Sequence, residues 1–415
     1  MTSIIKDHMA DPAMLEQLYR SNRTEFKKAF SALYPSLPED PIAQCWYQRL
    51  HEEGGAISWG KKNDLIFIIV AALVATVIAK IPTLFNIKEE FFYPRNISFI
   101  VFPTLMAYFI WMKRIPLKIV GVVGIMLAVA ALYINFLPEN SKSDTFLLAC
   151  IHLPLFAWAL TGFVYTGGNL RDWSERPEYL RLNGDLIVMG SLITSVIMAL
   201  TGITIGLFDL IGLQIADFYT QWILIAELCA SPLVAAYVVK ANPQLVNKVS
   251  PVIARIFSPL VLITLVAYLI GIAVANKDPF NDRDFLLLFN LLLIGVLAII
   301  FFSVIEMHRS AANQLSLLVI LLLSGVTIIV NGIALSAILF RISSWGITPN
   351  RLAVLGGNVL FFINLIMIAR QLYLQYRGKA TFQNGVERSI AIFLPVYAAW
   401  AVVVLFLFPL LFGFR

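Results

Sequence analysis

Charged residues are scarce in this chain. They make up 13% of its 415 residues, whereas soluble globular proteins carry roughly 25%. Hydrophobic residues reach 59%. This composition excludes an ordinary soluble domain and indicates an integral membrane protein.

Cysteine and histidine are also rare, with three and four residues. The cysteines form no Cys-x-x-Cys pair, so neither a disulfide framework nor a zinc knuckle is supported. The segment from Gly55 to Lys62 fits the GxxxxGK pattern, but Lys62 stands where a P-loop needs Ser or Thr to bind magnesium. We therefore reject a P-loop and expect no metal and no cofactor.

Basic residues do not cluster. The net charge is +6, and the 31 Lys and Arg residues are spread among many short segments. We expect no nucleic-acid partner, because such proteins carry a concentrated basic patch.

Long apolar runs dominate residues 64–415, and a run of roughly 17–25 residues is long enough to span a bilayer as a helix. The predicted fold is an all-α polytopic transmembrane helix bundle of about eleven spans, with ten or twelve also acceptable. The predicted spans are 64–85, 96–112, 117–137, 146–165, 185–208, 218–239, 256–275, 285–305, 315–340, 352–374 and 390–412.

The distribution of positive charge predicts the orientation. Counted by alternating segments, more than two thirds of the Lys and Arg residues fall on the same side as the N-terminus. Cytoplasmic segments carry the excess of Lys and Arg. We therefore expect the N-terminus inside, the C-terminus outside, and a location in the bacterial cytoplasmic (inner) membrane.

Residues 1–63 form a small cytoplasmic helical unit in this prediction, and residues 64–415 form the transmembrane domain. Asp11-Pro12 begins a helix that runs to Tyr34-Pro35, and Asp40-Pro41 begins a second that Gly54-Gly55 ends. Two short amphipathic helices bury little surface alone, so we expect this unit to pack on the membrane surface or to bind a cytoplasmic protein.

The turn between the ninth and tenth spans carries the densest local signal. Gly346 is typical of the end of a helix, and Thr348-Pro349 is typical of the start of the next one. Arg351 would then lie in the first turn of the tenth span. The free backbone N–H groups at this helix start and the Arg351 guanidinium could then bind an anion together. Alternatively, Arg341, Trp345 and Arg351 are interfacial anchors.

Polar side chains within the spans are the other candidates, because they are costly in hydrocarbon. Glu227 is either a proton or cation site or a structural carboxyl. His152 is either a relay or an interhelical hydrogen bonder. The predicted intramembrane amides, which either line a site or join helices, are Asn290, Asn331, Asn358 and Asn364.

Several of these polar residues are predicted to lie at a similar depth in the membrane. Counted from the ends of the apolar runs, Glu227, His152, Asn290, Asn331 and Asn358 lie in the outer half of the membrane. We therefore predict a polar cavity open to the outside, with Arg341 and Arg351 at its rim, that binds an anionic or amphipathic small molecule. Membrane lipids are further expected partners.

Small residues in the fifth span predict close helix packing. Gly202 and Gly206 form a GxxxG pattern, which lets two membrane helices approach.

Two short segments carry a family resemblance. Phe91-Phe92-Tyr93-Pro94-Arg95-Asn96 precedes the second span, and Gly346-Ile347-Thr348-Pro349-Asn350-Arg351 precedes the tenth. With them, most of the membrane part resembles the bacterial polytopic membrane proteins catalogued as the domain of unknown function 4153 family. The resemblance implies a bacterial cytoplasmic membrane location. It brings no settled activity and no catalytic residues.

Three functions remain open from the sequence. The first is a transporter or permease-like protein built around the outer polar cavity. The second is a non-transporting sensor or assembly factor whose N-terminal unit binds a cytoplasmic partner. The third is a membrane enzyme acting on a lipid-linked substrate, for which Glu227 and His152 are the only pair of interest.

Overall fold

The computed structural model describes residues 2–37, 40–52, 62–138, 143–275, 283–309, 314–379 and 383–414. These residues form helices joined by short turns and contain no strand, which confirms the predicted all-α class. The chain divides into two compact units, Met1–Trp59 and Gly60–Arg415.

The N-terminal unit contains four α-helices and one 3₁₀ turn, Tyr34–Ser36. The helices are α1 (Thr2–Asp7), α2 (Pro12–Ser21), α3 (Arg23–Leu33) and α4 (Pro41–Glu52). The prediction of one helix from Pro12 to Tyr34 is wrong, because Asn22 leaves helical geometry at φ −152° and its side chain accepts a hydrogen bond from the backbone N–H of Glu25. A cap of this kind starts a new helix.

Aromatic rings fill the centre of the N-terminal unit. Trp46 lies 5.5 Å from Tyr19 and 5.1 Å from Phe26 between ring centroids. The Asp40 carboxylate caps α4 by accepting from the backbone N–H groups of Ile42 and Ala43, as predicted. The predicted stop at Gly54-Gly55 lies outside the described residues.

The second unit holds the remaining helices, whose bounds are α5 (Lys62–Ala79), α6 (Ile81–Phe85), α7 (Glu89–Lys113), α8 (Leu117–Phe136), α9 (Asp144–Tyr165), α10 (Arg176–Leu210), α11 (Ala216–Phe218), α12 (Ile225–Ala241), α13 (Pro243–Ala275), α14 (Arg283–Arg309), α15 (Gln314–Trp345), α16 (Pro349–Tyr376), α17 (Arg388–Val402) and α18 (Phe408–Leu411). Three π-helical turns join or precede the shorter pieces: Tyr219–Leu224, Gln383–Glu387 and Val403–Leu407.

Eleven candidate membrane spans are present among the described residues, as the apolar runs predict. The first span is shorter than predicted and ends at Ala79 instead of residue 85. Pro82 explains the difference, because proline has no N–H to continue the helical ladder. The short α6 that follows ends at Phe85, and the next residue, Asn86, has a φ of +52° in the left-handed region.

The membrane unit packs around two apolar cores. One core joins α5, α7, α8, α9 and α12, and the other joins α13 to α17. α10 contacts both α12 and α14, and α17 contacts both α9 and α16, so these two helices connect the cores.

The outer faces of the spans carry large apolar side chains. Leu132 on α8 is 60% exposed, and Leu192 on α10 is 62% exposed. In an all-helical unit, the backbone N–H and C=O groups form hydrogen bonds within the helices. Such a unit with exposed apolar side chains is stable in the hydrocarbon core of a bilayer. The chain is therefore a multi-pass membrane protein.

The predicted GxxxG contact is absent from the described part of the bundle. A Cβ atom built on Gly202 or Gly206 would meet nothing within 4 Å. These glycines lie on an exposed stretch of α10, so their packing role is wrong for contacts within this chain.

Candidate functional site

The turn between α15 and α16 has the predicted backbone. α15 ends at Trp345, and Gly346 adopts a left-handed φ of +78°. The Thr348 hydroxyl accepts a hydrogen bond from the backbone N–H of Arg351, with Pro349 at the first helical position. These local signals are confirmed.

The guanidinium of Arg351 turns back onto the preceding helix. Its Nη1 donates to the carbonyl oxygens of Trp345 at 2.9 Å and Gly346 at 2.7 Å. Arg341 also lies beside the Trp345 ring, 5.2 Å from its centroid. Cations near a helix C-terminus complement its unsatisfied carbonyls. The geometry favours the anchor interpretation, and anion binding by Arg341 or Arg351 stays a prediction.

Gly356 marks a close contact in α16, but the approaching group is protein. A Cβ atom at this position would lie 2.0 Å from Cζ2 of Trp400 on α17. Gly356 therefore allows the indole to pack against the backbone.

Three of the predicted polar residues do come together. Asn358 on α16 donates from Nδ2 to Oδ1 of Asn290 on α14 at 2.8 Å. Asn331 on α15 donates from Nδ2 to the backbone oxygen of Asn358 at 3.2 Å. The triad therefore connects three helices, which is the joining role that asparagine often has in membranes.

A fourth asparagine extends this buried polar chain. Asn364 donates from Nδ2 to the backbone oxygen of Ser389 at 3.0 Å and accepts from the Tyr397 hydroxyl at 3.0 Å. Asn364 is 0% exposed, so its amide links α16 to α17 inside the bundle.

His152 bonds within its own helix. Its Nδ1 lies 2.8 Å from the backbone oxygen of Leu148, and a carbonyl can only accept, so Nδ1 carries the proton. The residue is half-buried. Within the described chain it makes no hydrogen bond or ion pair with Glu227 or the asparagines.

Glu227 lies on α12, away from the asparagine triad. One of its carboxylate oxygens, Oε2, is enclosed and accepts no hydrogen bond from the described residues. Glu227 and His152 lie close to the midpoints of their spans, Ala216–Ala241 and Asp144–Tyr165. Asn331 lies near the midpoint of α15, because these helices extend beyond the apolar runs. The shared outer cavity stays a prediction.

The sequence reading missed a polar cleft between α13, α14 and α15. The cleft has a volume of about 190 Å³. Glu306, Arg255 and three serines line it together with apolar side chains. Under the predicted orientation, this end of the three helices is the inner one.

Glu306 is the most enclosed charge in this cleft. It is 1% exposed, and its Oε1 lies 3.7 Å from Nε of Arg181 on α10. Arg181 also contacts Glu178 one turn earlier through a shorter bond. Arg181 therefore stands between the buried Glu306 carboxylate and the more exposed Glu178 carboxylate.

Hydrogen-bonded hydroxyls join the helices at this end of the bundle. The Ser258 and Ser303 hydroxyls join α13 to α14 at 2.7 Å. Ser250 donates to the Asp185 carboxylate at 2.7 Å. These contacts could not be predicted from the sequence, because they depend on how α10, α13 and α14 pack together. The position of Glu306 directly after an apolar run was the sequence signal that could have indicated it.

A second missed cluster lies where α7, α9 and α12 end. Lys113 donates to the Tyr165 backbone oxygen at 2.7 Å, and Lys240 donates to the Tyr165 hydroxyl at 2.7 Å. The two lysines thereby join the ends of three helices.

The chain was also compared with protein-family models, curated proteins and solved structures. No family model, curated protein or solved structure matches the chain.

Proposed function

We propose that the protein is a transporter or permease-like protein for a small amphiphilic molecule, and that the Glu306 cleft is the inner part of its path. The observation that carries this proposal is the burial of the Glu306 carboxylate at an open cleft inside a membrane bundle. Glu306 lies near the end of the span Phe289–Met307. Ionisable groups buried within membrane spans mark substrate and ion pathways, because their burial is costly.

The lining of the cleft supports an amphiphilic substrate. Arg255 and Glu306 offer both charge signs, and Ser316 adds a hydroxyl. Apolar side chains, among them Met307 and Ile320, complete the wall. Ligand sites typically combine a mostly apolar lining with a few polar groups that fix orientation.

Breaks in the helices support movement around this path. Pro251 and Pro259 lie inside α13 and line the cleft, and a π-helical turn precedes α17. Proline removes a helical hydrogen bond and permits a kink. Bending of α13 at these positions would change the width of the cleft.

The test is a transport assay without an assumed substrate. Proteoliposomes would be incubated with a defined mixture of amino acids, polyamines, quaternary amines and organic acids, and the retained solutes would be measured by mass spectrometry. We expect a solute to accumulate with the natural protein and to fall to the protein-free level with Glu306→Gln.

The matched control is Glu178→Gln, which removes the other carboxylate at Arg181 without touching the cleft lining. It should retain transport. Accumulation that is unchanged in Glu306→Gln, or absent from the natural protein, would contradict the proposal.

A specific observation also favours the second candidate, a sensor or assembly factor. The unit Met1–Trp59 is compact and has its own core, which includes Leu15, Phe30 and Trp46. A separate folded unit suits a partner-binding role. Deleting residues 1–59 should leave transport in proteoliposomes intact under the first proposal, whereas a scaffold would lose its cellular phenotype.

Membership of the domain of unknown function 4153 family, like the inner-membrane location, stays a proposal that rests on the two sequence segments. The membrane-enzyme alternative gains no support, because no hydrogen bond joins Glu227 to His152 in the part of the chain described.

A further inference from the structure

Two lysines from different helices converge on one tyrosine ring. Lys113 is the last residue of α7, and Lys240 lies in the last turn of α12. Their Nζ atoms lie 3.7 Å and 4.9 Å from the centroid of the Tyr165 ring. The two nitrogen atoms therefore cannot be farther apart than the sum of these distances. We call Lys113 and Lys240 the lysine pair.

Each member of the lysine pair has hydrogen-bond donors to spare. An ammonium group has three N–H donors and no acceptor. Lys113 donates to the Tyr165 backbone oxygen, and Lys240 donates to the Tyr165 hydroxyl, both at 2.7 Å. In the described part of the chain, neither lysine makes another hydrogen bond or an ion pair. The described chain thus supplies two positive charges without an anionic partner.

The distance within the lysine pair suits a phosphate group. Hydrogen bonds from an ammonium to an anionic oxygen measure about 2.7–2.9 Å. A phosphate that accepts one such bond from each lysine can therefore connect two nitrogen atoms that lie this close together. Like charges at this distance repel each other, so an anion in contact with both Lys113 and Lys240 would stabilise the pair.

The lysine pair lies at the level of the bilayer surface. Lys113, Tyr165 and Lys240 are at or next to the ends of three candidate membrane spans. Trp111, two residues before Lys113, is exposed, and tryptophan is enriched at the headgroup level of bilayers. Lys113 is also exposed, and Lys240 is half-buried. A lipid headgroup can therefore reach the pair without entering the bundle.

The surface beside the lysine pair is both basic and apolar. Arg114 and Lys118 follow Lys113 closely in the chain, and both are exposed. Leu117 and Ile125 on α8 are exposed apolar side chains. A phospholipid has a charged headgroup above apolar chains, so a lipid bound at Lys113 can place its acyl chains along α8.

Carboxylates at this end of the bundle do not occupy the lysine pair. Glu175 and Glu178 attract Lys113, but neither forms an ion pair with it among the described residues. Glu178 forms its ion pair with Arg181 instead. These carboxylates lower the positive potential around the pair and leave its remaining N–H donors open.

We propose that the lysine pair binds the phosphate of an anionic phospholipid. Basic pockets between membrane helices near the bilayer surface bind lipid head groups of this charge. The bound phosphate would join α7 to α12 beside the end of α9. The site goes beyond the proposed transport function and does not depend on it, because neither lysine lines the Glu306 cleft.

The test uses the full chain, freed of lipid in detergent, and titrates it with phosphatidylglycerol or with phosphatidylcholine of the same acyl chains. A ligand that binds only the folded state raises the unfolding temperature with its concentration. We expect a saturable rise of several degrees with phosphatidylglycerol and a much smaller one with phosphatidylcholine. Native mass spectrometry should retain one phosphatidylglycerol per chain. Inorganic phosphate at the same concentration should not reproduce the rise, because it lacks acyl chains.

Variants assign the effect to the lysine pair. Lys113→Gln and Lys240→Gln should each weaken phosphatidylglycerol binding about tenfold, because each removes a hydrogen bond from a charged donor. Lys379→Gln and Lys88→Gln are the matched controls. Each removes one exposed positive charge, the first just after α16 and the second just before α7. Both controls should keep the natural affinity.

Four results would overturn the proposal. The first is an equal rise with both lipids, and the second is an equal rise with inorganic phosphate, which would indicate a site for a soluble anion. The third is an unchanged affinity in both lysine variants. The fourth is an equal loss in Lys379→Gln, which would indicate diffuse attraction to the surface. If the lysine variants do not fold, Tyr165→Phe decides: it removes the acceptor that positions Lys240 and should weaken binding, and an unchanged affinity would contradict the proposal.

Discussion

Arg351 shows how one side chain can complete a helix that is not its own. Its two hydrogen bonds to Trp345 and Gly346 satisfy carbonyls at the end of α15, while its backbone begins α16. A hydrogen bond to a charged group contributes about 1.5–3 kcal/mol, and partial exposure lowers that value here.

Replacing Arg351 tests the anchor interpretation. Arg351→Ala should lower the free energy of unfolding by about 1–2 kcal/mol, because two carbonyls lose their donor. Arg351→Lys keeps the charge and should recover part of the loss. Thermal unfolding in detergent measures both. Loss of ligand binding at unchanged stability would favour the anion site instead.

The Asn290–Asn358 contact joins α14 to α16 through one amide bond. A double-mutant cycle with Asn290→Ala and Asn358→Ala should give a coupling energy of about 0.6–1.7 kcal/mol, the range of hydrogen bonds between membrane helices. Unfolding of the three variants beside the natural protein measures it. Purely additive losses would show that the contact adds nothing to stability.

Local chemistry explains which residues could be predicted. The caps at Asp11, Asp40 and Thr348 are confirmed, because a cap needs only its own few neighbours in sequence. Glu306 and Lys113 were missed as cluster members, since their partners come from helices far along the chain.

At the scale of helices, close approach depends on particular glycines. A Cβ atom on Gly184 of α10 would lie 2.2 Å from the ring of Phe302 on α14. This contact holds α10 beside α14 in the same region as the Arg181–Glu306 ion pair.

Gly184→Ala should therefore destabilise the protein by about 1–3 kcal/mol, as overpacking does. Phe302→Leu in the same chain should recover part of that loss by making room. Gly202→Ala is the matched control on α10, because nothing lies within 4 Å of its added methyl group. Equal unfolding temperatures for the two alanine variants would contradict this packing.

Helix ends were harder to predict than helix centres. Hydropathy locates the apolar centre of a span, but polar ends such as Arg176–Asp185 continue α10 beyond the apolar run. Asn22 and Pro82 each ended a predicted helix early, for reasons of backbone hydrogen bonding.

At the scale of the whole molecule, the number of spans followed from hydropathy, whereas the neighbours of each span did not. Burial in hydrocarbon depends on the length of an apolar run. Side-chain packing across the bundle decides that α10 and α17 connect the two cores.

The orientation is a prediction that cysteine labelling can measure. A membrane-impermeant maleimide applied to intact cells should label Ser344→Cys in the exposed last turn of α15. It should label the exposed Cys45 only after the membrane is opened. The labelled variants would also carry Cys150→Ala and Cys229→Ala, which remove the two buried thiols. The reverse pattern would place the N-terminus outside.

The short turn between α15 and α16 also bears on biogenesis. Only residues 346–348 separate the two helices, and Arg351 already has backbone partners inside this segment. A guanidinium bonded within its own hairpin is less costly to carry across a membrane than a bare one. Under the predicted orientation, we therefore expect the two helices to enter the membrane together as a single hairpin.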